Sequence, residues 1–135
     1  MTREELLHHL DDAALATLVD TPLVPLMTAQ VRHLGGALTE PSDSPHGPLP
    51  EPYALYLFGV PSDPATVRGI EAKQRELLSG LPVAGRKPVT FLNRDEQLAD
   101  ALPAAAVERL RRIKTERDPD GVIRSNLSAH GTVQP

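Results

Sequence analysis

Five histidines are the first places to look for metal or acid–base chemistry: His8, His9, His33, His46 and His130. None stands at an HxxxH or HExxH spacing, which would put two imidazoles on one helix face, and no carboxylate cluster accompanies them. A metal site is not expected. The stretch Gly80-Leu-Pro-Val-Ala-Gly85-Arg-Lys87 has the outline of a phosphate-binding loop. Its Lys comes one position late, and Pro88 stands where Ser or Thr would hold magnesium. The order around it is helix to strand, whereas a phosphate needs a helix N-terminus after a strand. A turn that stops a helix accounts for it better. Glu108, Arg109, Arg111, Arg112, Lys114 and Arg117 read as a solvated helix face, with Glu108 and Arg112 paired four residues apart. No nucleophile elbow brings Ser, His and Asp into a triad.

Composition narrows the classes further. The chain has 135 residues, 14 Lys+Arg against 18 Asp+Glu, and no Cys. The absence of Cys excludes a disulfide scaffold, a thiolate metal site, a thiol nucleophile and a cysteinyl cofactor link. A net charge of −4 and 3% aromatic residues argue against nucleic acid, which needs a basic face and stacking platforms. The charged start, MTREELLHHLDD, is unlike a signal peptide. Apolar runs are broken well short of a membrane span. The expectation is a cytoplasmic protein with no membrane and no nucleic-acid partner.

The elements that would position these residues follow from spacing and caps. Residues 2–20 read as helical, as one bent helix or two short ones, with a second start at Asp11 and Asp12. Residues 23–34 read as a strand that ends at Gly35-Gly36. Residues 39–52 hold five Pro and form a surface loop. Tyr53–Val60 is the clearest strand, apolar on both faces. Asp63 caps a helix with Pro64 at its first position, and Val67, Ile70, Gln74, Leu77 and Leu78 mark its inner face. Lys87–Asn93 reads as a short strand, placed at an edge by Pro88. Residues 103–117 form a helix with apolar Val107, Leu110 and Ile113, stopped by Asp118-Pro119-Asp120-Gly121. The fold class is therefore α+β, with about three antiparallel strands backed by helices. Three strands leave open edges, so the chain looks built for more sheet than it carries.

Three segments in order carry a resemblance: Arg32-His-Leu-Gly-Gly-Ala-Leu38, Val89-Thr-Phe-Leu-Asn93, and Glu108-Arg-Leu-Arg-Arg-Ile-Lys114 followed by Asp118-Pro-Asp-Gly-Val-Ile-Arg-Ser-Asn126. Together they resemble the C-terminal part of berberine-bridge-enzyme-like FAD-linked oxidoreductases. The resemblance implies a partial substrate domain over 23–102, preceded by a helical segment over 1–22 and followed by a berberine-like helix and tail over 103–135. It implies FAD as cofactor and a small-molecule substrate oxidised at an alcohol or C–N carbon. It implies that Asn93, Phe91 and Asn126 approach the cofactor, with Phe91 standing where many members have a Tyr base. Asp118 and Pro119 take the structural role of capping and ending the helix. This sequence contains no Gly-rich pyrophosphate segment. The chain would then be a truncated fragment or a split subunit, inactive alone, and in the second case a separate polypeptide would supply the FAD-binding domain. The alternative is a non-enzymatic α+β module that forms a homo-oligomer through Tyr53–Val60 or its neighbouring strand.

Overall fold

The computed structural model describes residues 1–93 and 96–125. Among these residues the chain is an α+β fold with a three-stranded antiparallel sheet and three α-helices. The strands are β1 (Thr2–Leu7), β2 (Thr28–His33) and β3 (Tyr53–Phe58), and the helices are α1 (Asp12–Asp20), α2 (Pro64–Ser79) and α3 (Ala104–Arg117). The strand order is β1-β3-β2, so the apolar strand Tyr53–Phe58 lies in the middle. Leu55 and Leu57 are buried on one face and Ala54 on the other, where Tyr56 and Phe58 are half-buried, in keeping with a strand apolar on both sides.

The largest departure from the sequence reading is Thr2–Leu7, a strand and not the start of a helix. Its register against β3 runs from Thr2 opposite Phe58 to Leu7 opposite Tyr53. Pairing lets Leu6 and Leu7 vanish completely from solvent, which outweighs the helical preference of Glu and Leu. The second expected helix start is the real one. Asp11 caps α1, its carboxylate accepting the Ala14 N–H at 2.9 Å. Lys87–Asn93 is the second correction, because it forms no strand. Val89–Phe91 is a single 3-10 turn. Pro88 has no N–H to give to a ladder. The flanking donors are spent locally, Lys87 N–H on the Asp100 carbonyl and Asn93 N–H on the Glu96 carboxylate.

Leu7, Leu55, Leu57 and half-buried Ala29 and Tyr53 face α1 and α2, where Ala14, Ile70, Leu77 and Leu78 close the main core. Asp63 caps α2 as expected, accepting from the N–H groups of Ala65 and Thr66, and Gly80 ends it. Gly59 is required by close approach: a Cβ there would stand 2.8 Å from Ile70 Cδ1. A second, smaller cluster of Ala101, Leu102 and Val107, flanked by Val89, Leu92 and Leu110, seats α3. Ile113, expected on the same stripe, is exposed. Glu108 pairs with Arg111 at 3.6 Å, not with Arg112. The stop after α3 follows the sequence closely: the Asp118 carboxylate accepts from Val122 and Ile123 N–H at 2.8 and 3.0 Å, and Gly121 takes a positive φ of 66°.

The two sheet edges differ. Residues 82–84 run along β1, with His8 N–H donating to Pro82 O and Ala84 N–H to Leu6 O, at 3.0 and 2.8 Å. Along β2, no described residue pairs with the side turned away from β3. No helix among the described residues is long and apolar enough to cross a membrane.

Candidate functional site

Two groups of polar side chains are held where water has little access. The first lies on the sheet face opposite the main core. In register across the three strands stand Glu4, Tyr56 and Gln30, and next to them Leu6, Ala54 and Arg32. The turn Val89–Phe91 covers part of this face. The Phe91 ring meets Tyr56 edge-on at 6.0 Å, and the Arg32 guanidinium lies 5.3 Å from the Tyr56 ring centre and 5.9 Å from that of Phe91. This is a cation–π bed. Arg32 Nε donates to Gln30 Oε1 at 3.0 Å, and Arg32 Nη1 stands 3.9 Å from Glu4 Oε2. Glu4 is 3% exposed and its Oε2 has no hydrogen-bond partner. Burial raises its pKa, and the positive charges of Arg32 and Lys87 offset this only in part. A carboxyl that holds its proton more tightly than usual therefore sits behind a half-exposed guanidinium on an aromatic face. Chemically, that arrangement offers an anion contact at Arg32 and a proton-exchanging group at Glu4.

The second group lines the β1 edge. Lys87, 5% exposed, bridges Glu5, at 3.3 Å, and Glu96. Glu5 also accepts from Arg3 Nε at 2.9 Å. Glu96 Oε2 takes the Asn93 N–H at 2.7 Å and the Asn93 amide at 3.2 Å. Burial pushes the Glu96 carboxyl up, but the Asn93 N–H and Lys87 together outweigh it and hold the carboxyl below its ordinary range. The residues of the phosphate-loop look-alike thus begin at the C-cap of α2, Gly80, and run on after the helix, and their Lys serves an internal ion pair. Nearby, Arg86 forks onto Glu51 at 2.8 and 3.0 Å and reaches Pro48 O at 2.9 Å, pinning the end of the Pro-rich loop. A cavity of about 460 Å³ separates that loop, at Asp43 and Pro45, from Pro103, Arg109, Leu110 and Ile113.

The residues expected to approach a flavin are placed as follows. Phe91 packs on the sheet face, against Tyr56 and Arg32. Asn93 turns toward the β1 edge, where its amide is bound to Glu96 and it lines a polar cavity. Asn126 lies outside the described residues. Phe91 is not part of the lining of that polar cavity, and the 460 Å³ cavity is lined by neither residue. No protein family, curated protein or solved structure matches the chain. The flavin reading therefore rests on the three motifs.

Among the histidines, His33 packs against the Tyr53 ring at 5.4 Å, His9 stands 3.4 Å from Asp11, and His46 Nε2 lies 3.4 Å from Lys87 O. Among the described residues no group of three or more His, Cys, Asp or Glu is arranged to hold a metal ion. Sequence reasoning missed Glu4, Glu5, Arg32's aromatic seat and the ion pairs of Lys87. It missed them because Thr2–Leu7 was given helical spacing, which scatters those side chains. One signal was present: Gln74 is a polar residue on an otherwise apolar helix face.

Proposed function

We propose that this chain is the C-terminal part of the substrate domain of an FAD-dependent oxidoreductase, inactive alone and completed by a separate FAD-binding polypeptide. The three motifs carry the flavin part of the reading, and the free edge of β2 supports a missing partner. Among the described residues Thr28–His33 pairs only with β3, and apolar side chains run into and along it: Val24 is 80% exposed, Met27 67% and Val31 40%. An unpaired strand with apolar neighbours is a template for another strand. The sheet face beside it carries Gln30, Arg32, Tyr56 and buried Glu4, groups suited to orient a hydroxyl or amine substrate against a cofactor that performs the oxidation itself.

The test is purification of the chain with FAD, then co-expression with the reading frames beside its gene. The chain alone takes up no stoichiometric FAD, and co-expression recovers a flavin-containing complex. Val31→Lys, a charge on the free edge, abolishes that complex without unfolding the chain. Tight FAD binding with oxidase turnover by this chain alone would falsify the reading.

A second reading has its own observation. Because Tyr53–Phe58 is the central strand, a homo-oligomer would form through β2, its neighbour. A soluble dimer in light scattering that ignores flavin, and that Val31→Lys splits, favours the non-enzymatic module.

A further inference from the structure

We infer that the free edge of β2 takes an antiparallel strand of another polypeptide in which apolar residues alternate with carboxylates, one carboxylate standing opposite Arg32. The existence of a partner rests on the proposed function; the chemistry of its strand is what the edge specifies. The backbone comes first. Met1 and Gly59 exchange both hydrogen bonds, Met1 N to Gly59 O at 2.6 Å and Gly59 N to Met1 O at 2.9 Å. Such pairs alternate along an antiparallel ladder, so the odd-numbered residues of β3 turn their N–H and C=O groups to β1 and the even-numbered ones to β2. Leu34 N donates to Pro52 O at 2.7 Å and keeps that phase. In register, Thr28, Gln30 and Arg32 then bond to Phe58, Tyr56 and Ala54, and the N–H and C=O groups of Ala29, Val31 and His33 turn outward. No described residue takes them up.

Side chains set the chemistry of the incoming strand. Ala29 and Val31 share a face with Leu57 and Leu55, and Val31 is 40% exposed at the margin of the main core. Apolar residues opposite Ala29 and Val31 extend that core sideways. Gln30 and Arg32 share the other face with Tyr56 and Glu4. They fall at the non-hydrogen-bonded positions of the new pair, where facing side chains come closest. Of the strand residues on this face, only Glu4 and Arg32 are charged. Glu4 is buried, and its Oε2 stands 3.9 Å from Arg32 Nη1, a contact of charges without a hydrogen bond. Lys87, the other cation acting on Glu4, is spent on Glu5 and Glu96. Arg32 itself spends only its Nε, on Gln30. Among the described residues neither of its Nη groups donates a hydrogen bond, its side chain is 43% exposed, and Tyr56 and Phe91 hold it in place. A guanidinium so placed suits a carboxylate. Gln30 meets Arg32 through Oε1, which leaves its amide N–H groups for a second acceptor. A second copy of this chain does not answer the pattern. Residues 26–34, LMTAQVRHL, contain no Asp or Glu, so in no register does β2 of one copy bring a strand carboxylate to Arg32 of the other.

The experiment is a ¹H–¹⁵N correlation titration of the full chain with the end-blocked peptide Val-Glu-Val-Glu-Val, and with versions that carry Gln or Lys in place of both Glu. The acidic peptide shifts the backbone amide signals of Ala29, Val31 and His33 and slows their exchange with solvent. It binds at least about tenfold more tightly than the Gln version, and added salt narrows the gap. N-methylation of its central Val, whose N–H faces β2, abolishes binding, whereas N-methylation of a Glu, whose N–H faces away, leaves it. Arg32→Gln removes the preference for Glu over Gln; if that variant does not fold, the three peptides on the parent chain decide. The inference is overturned if no peptide moves those amides, if the Gln or Lys version binds as tightly as the acidic one, or if the chain pairs with itself through β2 in sedimentation equilibrium. The flavin reading fails separately. A flavin-containing complex together with no preference for Glu sinks this inference alone, and acidic-strand binding by a chain that never yields such a complex sinks the flavin reading alone.

Discussion

Lys87 shows how one side chain can organise a surface. Its ammonium reaches Glu5 and Glu96 while almost nothing of it touches water. Removing one member of a buried ion group leaves the others uncompensated, which costs about 3–5 kcal/mol. Lys87→Met is therefore expected to lower stability by that amount in urea unfolding near neutral pH. The loss should shrink in acid, where the carboxylates it leaves behind are neutralised. Glu4 behaves in the opposite sense. A carboxyl whose pKa is raised on folding stabilises the fold while it is protonated, below the ordinary value of 4.5, and that contribution is lost as pH rises through the raised value. Glu4→Gln, which mimics the protonated form, should stabilise the chain at neutral pH. Urea midpoints should then converge with the parent as the pH drops below the ordinary glutamate range. A destabilising effect at neutral pH would mean that the Arg32 contact outweighs the cost of burial.

At the scale of elements, the junction of β3 and α2 is the tightest point. A Cβ at Gly59 meets Ile70 at 2.8 Å for Cδ1 and 2.9 Å for Cγ1, and Ile70 is fully buried. Gly59→Ala should cost about 1–3 kcal/mol by overpacking. Ile70→Val, which removes Cδ1, should recover part of that loss in the double variant, as read from a thermal-unfolding cycle. The same elements show what can be read from a sequence. Helices α2 and α3 were legible because their ends are written locally, in Asp63-Pro64 and in Asp118-Pro119-Asp120-Gly121. The strand β3 was legible because it is apolar on both faces. Thr2–Leu7 was not, because Thr-Arg-Glu-Glu-Leu-Leu suits a helix and becomes a strand only beside β3, some fifty positions away. Val89–Phe91 failed in the reverse direction: β-prone side chains were overruled by a missing donor at Pro88 and by local bonds to Glu96 and Asp100. Once those two segments were misread, Glu4, Glu5 and Lys87 could not be brought together on paper.

For the whole molecule, the decisive asymmetry is that residues 82–84 cover the Leu6–His8 end of one sheet edge, while no described residue pairs with the outer side of β2. On the proposed reading, the partner or a second copy adds its strand at β2. A further consequence follows from the two separate apolar clusters. The main core binds β1, β2, β3, α1 and α2, whereas α3 is seated only on the small cluster around Leu102 and Val107. A segment held by so little buried surface opens on its own, as a cooperative unit distinct from global unfolding. Amide exchange in α3 should accordingly be faster than in β3 and α2 and insensitive to Gly59→Ala, while Val107→Ala should release α3 without loosening the sheet. The chain is then two foldons of unequal stability, and a protease acting under native conditions would remove the C-terminal helix and leave the sheet with its free edge intact.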